Sequence, residues 1–404
     1  MKKHRFDYFA SCPSGLEELL EAEILSFGVK TTQKTRGGVS FEAYHENALK
    51  AVLESRLASR VLKTLYSFEA LNEKDLYQEL SQIKWKSIFE SHQTFKFHVI
   101  FGDLPYEREV FTNSQFVALK AKDAVVDWFR HYEKERPSVD KDHPDFSFII
   151  RIDPSPTDYK ITLLWDLAGF PLHQRGYRSE HVIAPLKENL AAGLIQLLKW
   201  NDQTEHFYDP MCGSGTLVIE AALAKGQIPP SFLLLEKQPW SFLKSSWFLK
   251  DEYLKKNFEQ FLIDLKEKTV KGFQYLKQSK VSIHASDIDS HAIRALKQNL
   301  EISGLSQAVQ VEQKEALSIA RPEHPSLFFY NPPYGERLER GEEEKLVKLY
   351  HDLGEKWKSE YKNMRVGFFT GNIPLLKKIS LRAERKLILY NGPIEARLAT
   401  YLLY

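Results

Sequence analysis

The sequence predicts an α/β protein: a doubly wound, Rossmann-like unit over residues 168–404, preceded by smaller α+β units. Three observations predict it. Around residues 207–224 a short apolar run ends in Asp209, a loop carries Gly213 and Gly215, and an apolar helix opens at Thr216. Strand, glycine loop and helix begin a βαβ unit with a ligand at the helix start. From residue 281 onward, short apolar runs alternate with helical patterns. Directly after one such run stands Asn331-Pro332-Pro333-Tyr334, a stiff turn where an open parallel sheet binds its ligands.

Composition places few limits on partners. The chain has 404 residues, 43% hydrophobic and 27% charged, with a net charge of +2. That length suits two or three domains, and the near-neutral total means that any nucleic-acid surface must be local. No apolar run approaches membrane-spanning length, and the first residues lack a signal-peptide core. Cys12 and Cys212 have no metal-ligand spacing and read as free thiols of a cytoplasmic protein. No metal is expected.

The N-terminal elements follow in order. Ser14 and Glu17 have capping-box spacing, ahead of Leu16, Leu19, Leu20, Ile24 and Phe27 at helical intervals, and Gly28 stops that helix. Val39, Phe41 and Ala43 alternate as a strand, and a helix is expected over about 46–57. Residues 1–60 thus form one small unit. Over 61–167 a second is expected: a strand through Leu62–Phe68, a helix through Leu76–Ile83 and a period-two strand at Phe95, Phe97, Val99 and Phe101. A helix capped by Asn113 or Ser114 and strands over 146–152 and 159–167 complete it. It reads as a binding module without catalytic groups.

The loop 169–179 mixes basic and aromatic residues, with Arg175, Tyr177 and Arg178 among them. Such side chains pair with phosphate and stack on bases, and an interdomain linker accounts for them equally well. A leucine-faced helix with Pro185 near its first turn then leads to the glycine-loop strand. The next strand ends at Asp287, 78 residues after Asp209. The intervening 226–280 read as an insertion that packs rather than reacts. Asp287 at its strand end suits two ribose hydroxyls, with Ile288 beside it. Glu315, after the strand of Val309 and Val311, is placed to accept from an adenine amine. The remaining elements are a fourth strand at 327–330, a helix at 342–360, a strand at 365–370 and a closing pair around Asn391-Gly392.

The glycine loop lacks the lysine of a phosphate-binding loop and the third glycine of a dinucleotide fingerprint, because position 218 is Val. A carboxylate at Asp209 repels phosphate and suits a cationic ligand. In the second motif, the Asn331 amide oxygen and the Pro332 carbonyl are two acceptors in a frame stiffened by Pro333. Together they suit an exocyclic amine with two hydrogens to donate. Tyr334 can stack on the base.

With these residues stated, Asp209–Ala222 and Asn331–Leu338 resemble the class I methyltransferases that modify exocyclic amines. Further stretches, at 173–178, 184–192, 232–240 and 391–398, make nearly the whole chain similar to the bacterial THUMP-domain methyltransferases of the large-subunit rRNA. The resemblance implies a ferredoxin-like segment at 1–60, a THUMP domain at 61–167 and a class I methyltransferase domain at 168–404. It implies S-adenosylmethionine as cofactor, held by Asp209, Cys212, Gly213, Gly215, Thr216, Asp287, Ile288 and Glu315. It implies catalysis by Asn331, Pro332, Pro333 and Tyr334 on the N2 amine of a guanine in RNA, 23S rRNA first and tRNA second, with Arg175, Arg178 and Arg337 as RNA contacts. Adenine-N6 methylation of DNA and a non-catalytic RNA-binding role stand as alternatives. Proteobacterial members carry a second methyltransferase domain that would follow Tyr404 and is not expected here. Tyr330 replaces a smaller residue, and the block ending at Trp240 is a loose version of the family's.

Overall fold

The computed structural model describes residues 4–102, 110–156, 158–179, 186–333 and 342–404. Two seven-stranded sheets organise it. The first is built from β1 (Phe6–Ser11), α1 (Glu17–Ser26), β2 (Thr31–Thr35), β3 (Gly38–Ala43), α2 (His45–Glu54), β4 (Arg60–Ala70), α3 (Glu73–Gln82), β5 (Phe95–Phe101), α4 (Ser114–Tyr132), β6 (Phe146–Pro154) and β7 (Tyr159–Asp166). Its strand order is β2-β3-β1-β4-β7-β6-β5. The strand β4 belongs to both halves, pairing antiparallel with β1 on one side and β7 on the other. The two N-terminal stretches therefore share one sheet.

Local sequence accounts for most of these elements. Asn72 and Asn113 cap α3 and α4, each side-chain oxygen accepting two backbone N–H groups of the first turn. The capping box expected at Ser14 does not form. The helix starts at Glu17 instead, and its carboxylate accepts from Gly15 N and Gly37 N, tying the helix to the β2–β3 hairpin. The strands β1 and β2 were not anticipated. In β2 the run Thr-Thr-Gln-Lys-Thr offers no apolar alternation, because the strand is an exposed edge.

The second sheet comprises α5 (Glu188–Leu197), β8 (His206–Asp209), α6 (Thr216–Lys225), α7 (Ser246–Lys250), α8 (Glu252–Gln278), β9 (Ile283–Asp287), α9 (Ser290–Ile302), β10 (Val309–Gln313), β11 (Ser326–Tyr330), α10 (Glu342–Glu360), β12 (Arg365–Thr370), β13 (Arg385–Asn391) and β14 (Ile394–Leu402). Its order is β10-β9-β8-β11-β12-β14-β13, parallel except that β14 runs antiparallel to both neighbours. After β10 the chain crosses back to the other side of β8, which puts a topological switch between β8 and β11. An open sheet binds its ligand at that point.

The segment 226–280 joins the two sheets. Trp247 stacks on His45 at 4.1 Å, and Trp165 of β7 donates to Ser241 Oγ at 3.2 Å. Ser241 Oγ donates to the Asp145 carbonyl, Gln93 to the Lys244 carbonyl, and Lys268 pairs with Glu54. The insertion buries aromatic surface against the first sheet and fixes its position relative to the second. Among the described residues, no helix is long and apolar enough to cross a membrane.

Candidate active site

The crevice lies at the carboxyl ends of β8 and β11, which pair in parallel with Phe328 opposite Tyr208. That register brings Asp209 and Asn331, 122 positions apart in sequence, to one end of adjacent strands. Asn331 is half-buried, Pro332 buried and Pro333 exposed. Tyr334 and Arg337 lie outside the described residues. Tyr330 turns away from the crevice: fully buried, it packs against Trp357 and Phe368 beneath α10.

Asp209 is 1% exposed. One of its oxygens accepts from Met211 N at 3.3 Å, and the other has no hydrogen-bond partner. Burial pushes its carboxyl well above the usual carboxylate range, Met211 opposes that, and the Asp287 charge adds to it. A buried carboxylate with an idle acceptor lacks a donor or a cation. The glycines beside it explain the loop. Gly215, at φ +87°, ends in the left-handed region, and a Cβ there would lie 2.1 Å from Leu296 Cδ1. Gly213, at φ +52°, faces open space: a Cβ would meet nothing within 4 Å. One glycine is set by packing against Leu296, the other borders open space.

Asp287 reaches into the same loop. Its Oδ2 accepts from Gly213 N at 2.9 Å and its Oδ1 from Asp289 N at 3.0 Å. Cys212 N donates to the Ser286 carbonyl at 3.0 Å, and both cysteines are buried free thiols. Ile288, beside Asp287, is 67% exposed, an apolar surface at the crevice end of β9. Glu315 is exposed after β10. The eight expected cofactor residues thus lie along the ends of β8, β9 and β10 and the first turn of α6. Among the described residues, no group of three His, Cys, Asp or Glu is arranged to hold a metal ion.

Arg175 is corrected. It is 2% exposed and donates to the Leu172 and Arg56 carbonyls, with Glu220 at 3.7 Å. Tyr177 is fully buried and donates to Glu220 at 3.0 Å. Neither offers a face to RNA, because the loop packs against α6 and against the segment 55–56 that follows α2, where a buried guanidinium needs a carboxylate and carbonyls. Arg178 is partly buried: it pairs with Glu188 at 3.0 Å and donates to Thr216 Oγ1 at 3.0 Å. Burial holds the Glu188 carboxyl up at about 7, against the pull of Arg178. Arg178 therefore braces the first residue of α6.

Sequence reasoning missed Asn299. Buried on α9, it donates to the Ser214 carbonyl at 2.9 Å, and its Oδ1 accepts from Ser179 N and Oγ at 2.9 and 3.1 Å. It clamps the glycine loop to the linker. The available signal was a polar residue inside the buried stripe of Ile293, Leu296 and Leu300.

A parallel sheet with a reversed closing pair, a glycine loop behind a buried acid and an Asn-Pro-Pro turn across the switch point define the class I methyltransferase fold. The chain belongs to the RMKL-like methyltransferase domain family, which matches residues 175–400, preceded by an RlmL ferredoxin-like domain at 7–62 and a THUMP domain at 70–156. The ribosomal RNA large subunit methyltransferase K/L of Syntrophotalea carbinolica is 38% identical over 401 residues, covering 98% of this chain and 53% of that protein. The protein of the same name from Psychromonas ingrahamii is 36% identical over 397 residues, covering 98% of this chain and 50% of its own length. The chain spans about half the length of the curated relatives it matches. Among solved structures, SMU.472, described as a methyltransferase and complexed with SAH, superposes with a TM-score of 0.81 at 26% identity, covering 100% of this chain and 99% of that one. A Listeria monocytogenes chain described as an N6-adenine-specific DNA methylase gives 0.79 at 26%, covering 99% and 97%.

Proposed function

We propose that this protein transfers a methyl group from S-adenosylmethionine to the N2 amine of a guanine in RNA, with large-subunit rRNA as the substrate. The observation that carries the cofactor is the idle buried oxygen of Asp209 beside the open space at Gly213. Those residues fit a ligand with an ammonium group, and they agree with the SAH bound by the SMU.472 chain. Asp287 would take the ribose hydroxyls, and Ile288 would cover one face of the adenine. When bound, S-adenosylmethionine supplies an electrophilic methyl group on a sulfonium.

The chain's own work is positioning. Asn331 and the Pro332 carbonyl accept the two N–H bonds of the amine and hold its lone pair toward the methyl carbon. With the amine so held, its nitrogen would take the methyl group that the cofactor supplies, and its surplus N–H proton would then leave to water. No strong base is required before transfer, so preorganised acceptors supply the main effect. Residues 1–167 would dock the RNA, and the cytoplasm is where such a substrate is found. Tyr334 would stack on a guanine drawn out of its helix.

The rRNA assignment rests on the THUMP domain and on the names of the relatives. A second reading, adenine-N6 methylation of DNA, rests on the description of the Listeria chain. Mass spectrometry of nucleosides after incubation with labelled cofactor separates them. N2-methylguanosine in unmodified 23S rRNA is expected; N6-methyladenine in duplex DNA as the main product would overturn the proposal, and N2-methylguanosine only in tRNA would move the substrate.

A further inference from the structure

We infer that a basic strip on the flank of the second sheet, formed by Lys377, Lys378, Arg382, Arg385 and Lys386, binds RNA phosphates away from the target base. This rests on the RNA reading above. The ten residues 377–386 hold five basic side chains and one acid, Glu384, a local charge of +4 in a chain whose total is +2. All five basic residues are exposed, and none forms an ion pair among the described residues. Elsewhere on the surface, lysines commonly face carboxylates, as Lys34 faces Glu18 and Glu21 and Lys244 faces Asp145.

Two plainer explanations fall short. Lysines protect exposed sheet edges from pairing with other chains, and β13 is such an edge. Only Arg385 and Lys386 lie on that strand, however. Lys377 and Lys378 project from the short 3-10 turn Pro374–Ile379, whose Leu375, Leu376 and Ile379 pack into the core, and Arg382 lies in the connection to β13. A solvated charged face, for its part, ordinarily mixes signs, as α10 does.

Location favours RNA. β13 stands three strands from β11 through β14 and β12, an offset of about 14 Å at roughly 4.8 Å per strand. Arg385 pairs with Thr400, level with Gly367, so it lies below the crevice end of β12. The other end of β13 meets the N-terminal unit: a Cβ at Gly15 would lie 2.6 Å from the Ile388 carbonyl. The strip thus lies to one side of the crevice and slightly below it, at the end of β13 away from the N-terminal contact, within reach of a structured RNA seated at Asn331. Among the described residues, the groove on the N-terminal sheet is lined by Asp7, Glu42 and Asp153 together with Arg151 and Lys160, a mixed set of charges. A short oligonucleotide seated at Asn331 would not reach the strip, whereas a structured RNA would.

The test compares the full chain with its K377Q/K378Q/R382Q/R385Q/K386Q variant. Each is titrated with unmodified 23S rRNA transcript and with an eight-nucleotide guanine-containing RNA, at several salt concentrations. Thermal melting and S-adenosylmethionine binding serve as folding controls and should be unchanged. For the transcript, affinity should fall at least about tenfold, and the slope of log K against log salt should become shallower by up to about 4, since each lost phosphate contact removes about 0.7–0.9. The octamer should bind both proteins equally. Equal transcript affinity and slope would overturn the inference while leaving the RNA reading intact, as would equal weakening with the octamer. Failure of the unsubstituted chain to bind either RNA would instead defeat the RNA reading. Loss of binding to anionic lipid vesicles, with RNA binding retained, would reassign the strip to a membrane surface.

Discussion

Replacing Asp209 with asparagine should stabilise the cofactor-free protein and weaken its response to cofactor. Asp209 is buried with one oxygen idle, and its carboxyl is pushed up by burial. Between the unfolded pKa, about 3.9, and the raised folded value, the unfolded chain has released a proton that the folded chain keeps. Stability therefore falls as pH rises through that window, by about 1.36 kcal/mol for each pH unit inside it, and levels off above the folded pKa. The Asp209→Asn variant has no carboxyl to titrate there and escapes this loss. Denaturant unfolding of both proteins from pH 4 upward should show a gap that widens with pH for as long as the folded chain keeps the Asp209 proton. Adding S-adenosylmethionine at 100 times its Kd should stabilise the unsubstituted protein by about 2.7 kcal/mol and the variant by far less. Because the ligand is cationic, its affinity should also rise with pH as Asp209 ionises. Parallel pH–stability curves, together with equal stabilisation by the cofactor, would refute the reasoning.

Three further outcomes follow from the site. Asn331→Ala should leave cofactor affinity nearly unchanged and lower kcat by about 10²-fold, the usual cost of one preorganised polar contact; full turnover in steady-state assays would remove Asn331 from catalysis. Gly213 and Gly215 should separate by assay. Gly213→Ala keeps the fold within about 1–2 kcal/mol, the cost of alanine in a left-handed conformation, but obstructs the ligand, whereas Gly215→Ala adds a collision with Leu296 and lowers the melting temperature more. Asn299→Ala strands the Ser214 carbonyl and the Ser179 donors, so it should cost about 1–3 kcal/mol of stability and weaken cofactor binding measured by calorimetry.

Much of this protein was legible locally. The glycine loop needs two left-handed residues in sequence order with an acid before it, and Asn331-Pro332-Pro333 needs only a preceding strand. Both are short-range demands on φ and on side-chain size, which is why residues 207–224 and 331–333 point to the crevice without any tertiary information. The strand alternation of Phe95–Phe101 and the Asn113 cap are local for the same reason.

Only the fold decided the rest. Arg175 has the composition of an RNA contact, but burial against α6 and the segment 55–56 turns its charge inward to Glu220 and backbone carbonyls. Asn299 gains its role because α9 packs against a loop 85 positions away in sequence. The sharing of β4 by both N-terminal units, and the bridging of the sheets by Trp247 and Ser241, depend on pairings across distant segments. A sequence states which side chains are available and which backbone angles are easy. Which charge is buried and which is left in water depends on contacts distant in sequence, so the same residue types became an interior brace at 175 and an exposed strip at 377–386.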